Sequence, residues 1–187
     1  MDNAVRKILN QYQKDAARTL NRDTENPLNN YLLGIMGEVG EVIDVIKKHL
    51  YHGHDLAKLP EEVGDCCWYL AAICTTAECG DLGGCWRLSS CRQRDLEALA
   101  LDAWTGVNNI RLCFHCVLPG PAGRGDTLRT AVGYLLRVLS AMCEAAGGDF
   151  LRVLDANVEK LWRRYPEAFS AAASRGRATS GDPSASL

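Results

Sequence analysis

An all-α helical bundle of about six helices is predicted by two observations on the sequence. Apolar residues recur at intervals of three and four along most of the chain, and the alternating apolar and polar runs that make half-buried strands are missing. The punctuation agrees, because Pro, Gly, Asn and Asp fall where the helical runs begin and end.

The first helix is expected from about Asn3 to Leu20, with Val5, Ile8, Leu9, Tyr12 and Ala16 on one face. After a polar loop over residues 21–25, Asn26 and Pro27 read as N-cap and first helical residue of a second helix. Its apolar face is Tyr31, Leu32, Ile35, Val39, Val42, Ile43 and Ile46, and Gly53 is its stop. A third helix starts at Pro60 with Glu61 and Glu62 in its first turn, where the helix dipole favours carboxylates, and ends near Glu78. Residues 80–90 read as a glycine-containing linker, and a fourth helix runs from Arg94 to Leu118, where Pro119-Gly120-Pro121 breaks it. Asp126 or Thr127 is expected to cap a fifth helix that reaches Ala146, and Asp149 a last one that ends at Pro166. Residues 1–169 then form one domain, and residues 170–187, rich in Ala, Ser, Gly and Arg, a disordered tail.

The chain has 187 residues, 47% hydrophobic and 24% charged, enough for a packed core. Its 21 basic and 23 acidic residues give a net charge of −2, so there is no overall attraction to nucleic acid or to anionic lipid. No stretch approaches the roughly 18 apolar residues of a membrane span, and Met1–Lys7 leads into amphipathic sequence, so a cytoplasmic protein is expected. Nine cysteines are present; Cys66, Cys67, Cys74 and Cys143 lie in apolar helical runs, where a free thiol behaves as a small buried hydrophobe.

A weak internal repeat is visible. Aligning Val63-Gly64 with Val132-Gly133 also pairs Leu70 with Leu139, Ala72 with Ala141, Cys74 with Cys143 and Ala77 with Ala146. The acids break the match, since Glu62 faces Ala131 and Asp65 faces Tyr134. If the repeat is a duplication, the first half kept its acids and the second did not.

Those acids carry the chemistry. Glu38 and Glu41 are neighbours on one face of the second helix, and Glu62 and Asp65 repeat the spacing on the third. Either pair singly is explained as a solvated helix face. Two pairs on helices joined by a short connection converge if the helices pack antiparallel, and four anions in one cleft repel unless a cation neutralises them. An all-oxygen set points to Mg²⁺, with Mn²⁺ as a substitute, rather than zinc. Gly37, Gly40 and Gly64 beside the acids suggest close approach, because glycine in a helix costs about 1 kcal/mol against alanine. A di-iron bundle would want Glu-x-x-His pairs, and no histidine lies three residues after a glutamate. Asn157, Lys160 and Arg164 share a face of the last helix and supply the opposite charge for phosphate.

The ordered set resembles the MazG-like all-α nucleoside triphosphate pyrophosphohydrolases. It comprises Glu38-x-x-Glu41, Lys47-Lys48, His52-Gly53-His54, Glu62-x-x-Asp65-x-x-Trp68-Tyr69-Leu70 and Asn157-x-x-Lys160-Leu161-x-x-Arg164-Tyr165-Pro166, over about residues 10–78 and 147–169. The resemblance implies Mg²⁺-dependent hydrolysis of a nucleoside triphosphate to monophosphate and pyrophosphate, a reaction of nucleotide-pool sanitation. It implies metal ligands at Glu38, Glu41, Glu62 and Asp65, with Glu41 or Glu38 in the catalytic role. Lys48, Tyr69, Asn157, Lys160 and Arg164 are then substrate contacts; Trp68 either stacks on a base or belongs to the core. A homodimer also rests on the resemblance. Residues 79–146 depart from the compact family members as a two-helix insertion, which leaves two other functions open: a base-selective enzyme like the dimeric dUTPases or a dCTPase, and a catalytically silent nucleotide or metal binder. Within the insertion, Cys113-Phe114-His115-Cys116 is half of a zinc site without a second C-x-x-C.

Overall fold

The computed structural model describes residues 2–21, 24–86, 94–115 and 121–166. Among these, all regular structure is helical: α1 (Asp2–Ala17), α2 (Pro27–His52), α3 (Leu59–Thr76), α4 (Leu82–Cys85), α5 (Leu96–His115), α6 (Pro121–Ala145) and α7 (Phe150–Arg164). The expected tail, Cys91 and Cys116 lie outside the described residues, as does Pro119-Gly120 of the expected break.

Capping residues set several boundaries. The Asn26 side chain accepts from the Asn29 amide at the start of α2, and Gly53, at φ 70°, ends that helix in the left-handed conformation that glycine adopts without steric cost. Asp149 accepts from the Leu151 amide at 2.9 Å to start α7. Two expectations are corrected. Asp126 and Thr127 do not cap α6, which begins at Pro121, a proline whose missing N–H is not needed in a first turn. The glycine-containing linker is not all loop either, because α4 lies within it and buries Leu82, Gly83 and Cys85.

Two helical hairpins, α2–α3 and α5–α6, pack side by side, α2 on α5 and α3 on α6, with α1 and α7 laid against α3 and the short α4 wedged between α1 and α6. The core runs through both hairpins: Ile35, Val39 and Val42 of α2, Val63, Leu70 and Ile73 of α3, Val107 and Ile110 of α5, and Val132, Leu135 and Leu139 of α6 are all buried. All seven described cysteines are buried and free, so the thiols serve as packing residues.

The hairpins share a burial register, which gives the sequence repeat a physical meaning. Moving along by the 69 residues that separate Gly64 from Gly133 takes buried Leu59, Val63, Cys66, Cys67, Leu70, Ile73 and Cys74 onto buried Leu128, Val132, Leu135, Leu136, Leu139, Met142 and Cys143. The 68 residues from Tyr31 to Leu99 do the same for Leu32, Ile35, Val39 and Val42, which land on Ala100, Ala103, Val107 and Ile110. Gly64 and Gly133 are both contact glycines: a Cβ on Gly64 would lie 3.0 Å from the Asn157 side chain, and one on Gly133 would collide with the Cys85 carbonyl.

Candidate active site in the α2–α3 hairpin

Residues three apart on a helix are side-by-side neighbours, and the six residues between α2 and α3 fold one helix back on the other. Glu38, Glu41 and Glu62 therefore meet, each offering a carboxylate oxygen within 4.8 Å of the others; among the described residues this is the one group of its kind. Burial and the neighbouring Asp65, Glu41 and Glu62 carboxylates push the Glu38 carboxyl up to about 7. Glu62 is raised as well, by burial first and then by Glu41 and Asp65. The site is thus short of positive charge. Its donor set, all carboxylate oxygen and partly open to solvent, fits a hard divalent cation such as Mg²⁺ that retains waters.

Asp65 stands beside these three with its oxygens already engaged. Oδ1 accepts from Asn157 Nδ2 at 2.8 Å, and Lys160 Nζ lies 2.6 and 2.7 Å from Oδ1 and Oδ2. Asn157, expected at phosphate, is instead buried, and both ends of its amide are engaged, because its Oδ1 accepts from the Tyr12 hydroxyl at 2.8 Å. The absence of a Cβ at Gly64 is what lets Asn157 come this close. Lys160 also reaches Glu61 at 3.2 Å, so the expected phosphate cation sits in an acidic clamp beside the cluster.

Two cavities flank the carboxylates. One, of about 280 Å³, is lined by Glu38 and Asp65 together with Tyr31, Trp68, Tyr69, Tyr165 and Arg164, and by Thr19, Asn21 and Asn30. Its aromatic wall is held by edge contacts of Trp68 with Tyr31 and Tyr69 at centroid distances of 5.8 and 4.8 Å, and by the Trp68 indole N–H donating to Thr19 Oγ1 at 2.8 Å. Gly34 makes room for this wall, since a Cβ there would collide with the Tyr69 ring. The other cavity, of about 600 Å³, is lined by Glu41 and Glu62 with Lys48, His54 and Lys58. Lys48 pairs with Asp44 at 2.6 Å, and the bonds from Lys47 and Lys48 bring the Asp44 carboxyl down to about 2.

The glycine expectation is corrected in part. Gly64 marks a close approach, but nothing lies within 4 Å of a Cβ placed on Gly37 or Gly40. Gly34 and Tyr12 were missed because each reads as an ordinary member of an apolar helical face. Lys58 was missed because one lysine at a helix start has no sequence signature.

Residues 27–82 match the family model of the MazG nucleotide pyrophosphohydrolase domain. That stretch resembles the MazG domain. The matched stretch holds α2, α3 and both acidic pairs, and it ends before α5, α6 and α7. It points to nucleotide pyrophosphohydrolase activity, a hydrolase function on nucleotides. No curated protein and no solved structure matches the chain. No described helix is long and apolar enough to cross a membrane.

Proposed function

We propose that this MazG-like chain hydrolyses nucleoside triphosphates to monophosphate and pyrophosphate with Mg²⁺ held by Glu38, Glu41, Glu62 and Asp65. The observation that carries the reading is the carboxylate cluster lying between one aromatic and one lysine-bearing cavity. A nucleoside and a polyphosphate have those two chemistries at opposite ends. Bound there, Mg²⁺ would neutralise phosphate charge and lower the pKa of a coordinated water.

The chain's own groups divide the remaining work. Tyr69 and Trp68 offer ring faces and edges to the base, and Arg164 brings positive charge to the same cavity beside Glu38 and Asp65. Asn157 and Tyr12 orient Asp65, and Lys160 supplies positive charge next to it. Glu41, the exposed member of the cluster, takes the proton of the attacking water, with Glu38 completing the catalytic pair. Lys48 faces the phosphates from the other cavity. A second copy of the chain would cover the outward-facing Leu33, Leu101 and Trp104 in the expected homodimer, which light scattering of the purified protein would detect.

A second reading, a base-selective enzyme like a dUTPase or dCTPase, is favoured by the small size of the aromatic cavity and its two asparagines, Asn21 and Asn30. One panel tests both. Ribo- and deoxyribonucleoside triphosphates, dUTP and dCTP included, are incubated with Mg²⁺ or EDTA and the products separated by chromatography. Metal-dependent monophosphate plus pyrophosphate across many bases is the expected result; the same products from a single base select the second reading. Diphosphate plus orthophosphate would assign a different bond, and nucleotide-induced thermal stabilisation without turnover would make the protein a silent binder.

A further inference from the structure

We propose that Lys58 and His54, in the connection between α2 and α3, form with Lys48 the seat of the leaving pyrophosphate. This inference rests on the pyrophosphohydrolase reading and deepens it by giving the substrate a direction across the carboxylates.

The four acids are divided between the two cavities. Glu38 and Asp65 line the aromatic one, whereas Glu41 and Glu62 line the lysine-bearing one. A substrate lying across the cluster therefore has its base and first phosphate on the Glu38 side and its last two phosphates on the Glu41 side. The placement of the basic side chains sets the same direction. Pyrophosphate is a compact polyanion that needs several cations and donors, and the larger cavity supplies the ammonium groups of Lys48 and Lys58 with the His54 ring beside them, while the aromatic cavity has Arg164.

The connection is built to hold these groups in place. The left-handed Gly53 reverses the chain, the His54 amide returns to the Lys48 carbonyl, and His49 Nδ1 lies 2.8 Å from the His54 carbonyl oxygen. Lys58 sits at the start of α3, where its carbonyl accepts from the Glu61 and Glu62 amides. Four residues before Glu62, it projects on the same helix face as that carboxylate. Two further acids line the cavity, and both are engaged: Asp44 by Lys47 and Lys48, and Asp55 by the Ala57 amide at 3.1 Å. Lys58 has no ion pair among the described residues, so its charge is available to a ligand.

Calorimetric titration of the full chain with inorganic pyrophosphate and with a nucleoside monophosphate, each in Mg²⁺, tests the seat without depending on turnover. Lys58→Ala is expected to weaken pyrophosphate binding about tenfold, roughly the effect of one charge-assisted contact, and to change monophosphate binding less than twofold. His54→Gln is expected to weaken pyrophosphate several-fold. Lys58→Gln, which keeps the length and helix propensity of the side chain, guards against a folding defect in the alanine variant and should behave alike. Unchanged pyrophosphate affinity in both Lys58 variants would overturn the assignment, as would equal weakening of both ligands or no pyrophosphate binding by the wild type. The nucleotide panel fails separately: an absence of turnover refutes the enzymatic reading whatever the titration shows, and turnover with unaltered pyrophosphate binding in the Lys58 variants refutes this seat and leaves that reading standing.

Discussion

The α2–α3 and α5–α6 hairpins bury the same positions, yet they meet solvent with opposite chemistry. Beside α2 and α3 lies the cavity of about 600 Å³ that carries Glu41, Glu62, Lys48 and Lys58. The corresponding register positions of the second hairpin line a cavity of nearly equal size, about 590 Å³, with Asn109 in place of Glu41, Ala131 in place of Glu62 and Thr127 in place of Lys58. Tyr134, the counterpart of Asp65, lines it too. Packing and charge are thus separable in this bundle. Core positions answer to volume and apolarity, while a position one step off the apolar face is free to become charged or neutral without changing the fold.

The largest expected effect tests that separation. Glu41→Ala should reduce hydrolysis by about 10²–10⁴-fold, the range for loss of a general base, with the helical circular dichroism unchanged. Asn109→Ala, at the matching position, should leave the rate within twofold. Equal losses in the two variants would mean that the second hairpin shares in the chemistry. The next effect is on stability. Gly133→Ala drives a methyl into the Cys85 carbonyl and Gly34→Ala drives one into the Tyr69 ring. Each should cost about 1–3 kcal/mol, the range for forcing extra volume into a packed interior, as read by denaturant unfolding. Gly34→Ala should in addition raise the Michaelis constant for nucleotide, because Tyr69 must move.

A smaller effect of opposite sign is expected at Gly37. Nothing lies within 4 Å of a Cβ there, so Gly37→Ala should stabilise the fold by up to about 1 kcal/mol through helix propensity. A loss of stability would reveal a contact at this face that the single chain does not contain. The most graded effect is on pH dependence. Glu38 titrates near 7 in the folded protein against an ordinary value of 4.5, so the folded state holds a proton that the unfolded chain has released. Its contribution to the stability of the metal-free protein is therefore complete below pH 4.5 and lost as the pH rises through 7. Melting temperatures in EDTA should decline from pH 5 to pH 8 on this account, and Mg²⁺ should lessen the decline. Asn109 and Ala131, at the matching positions of the second hairpin, carry no titratable group. Replacing Glu38 with Gln should flatten the slope.

Much of the scaffold was legible along the chain because its signals are local. Asn26, Pro27, Gly53 and Asp149 mark helix ends by groups that satisfy or relieve backbone donors and acceptors within a few residues. The carboxylate pairs were legible for the same reason, since the spacing of three fixes a shared face whatever the rest of the molecule does. The start of α6 was misread because Asp126 and Thr127 are good caps in isolation, while Pro121 is an equally good first residue five positions earlier. The short α4 was missed because four residues carry no periodicity, and its burial depends on α1 and α6.

The sequence by itself determined the helical class, most of the helix ends and the presence of two acidic pairs, because these follow from backbone hydrogen bonding and from the 3.6-residue period. The tertiary structure decided which acids meet and what each one faces. It brought Glu38, Glu41 and Glu62 together, tied Asp65 to Asn157 and Lys160, and set an aromatic cavity against a lysine-bearing one. Those contacts join residues up to 95 positions apart. Local preference cannot encode them; the close packing of α7 over Gly64 and of Tyr69 over Gly34 does.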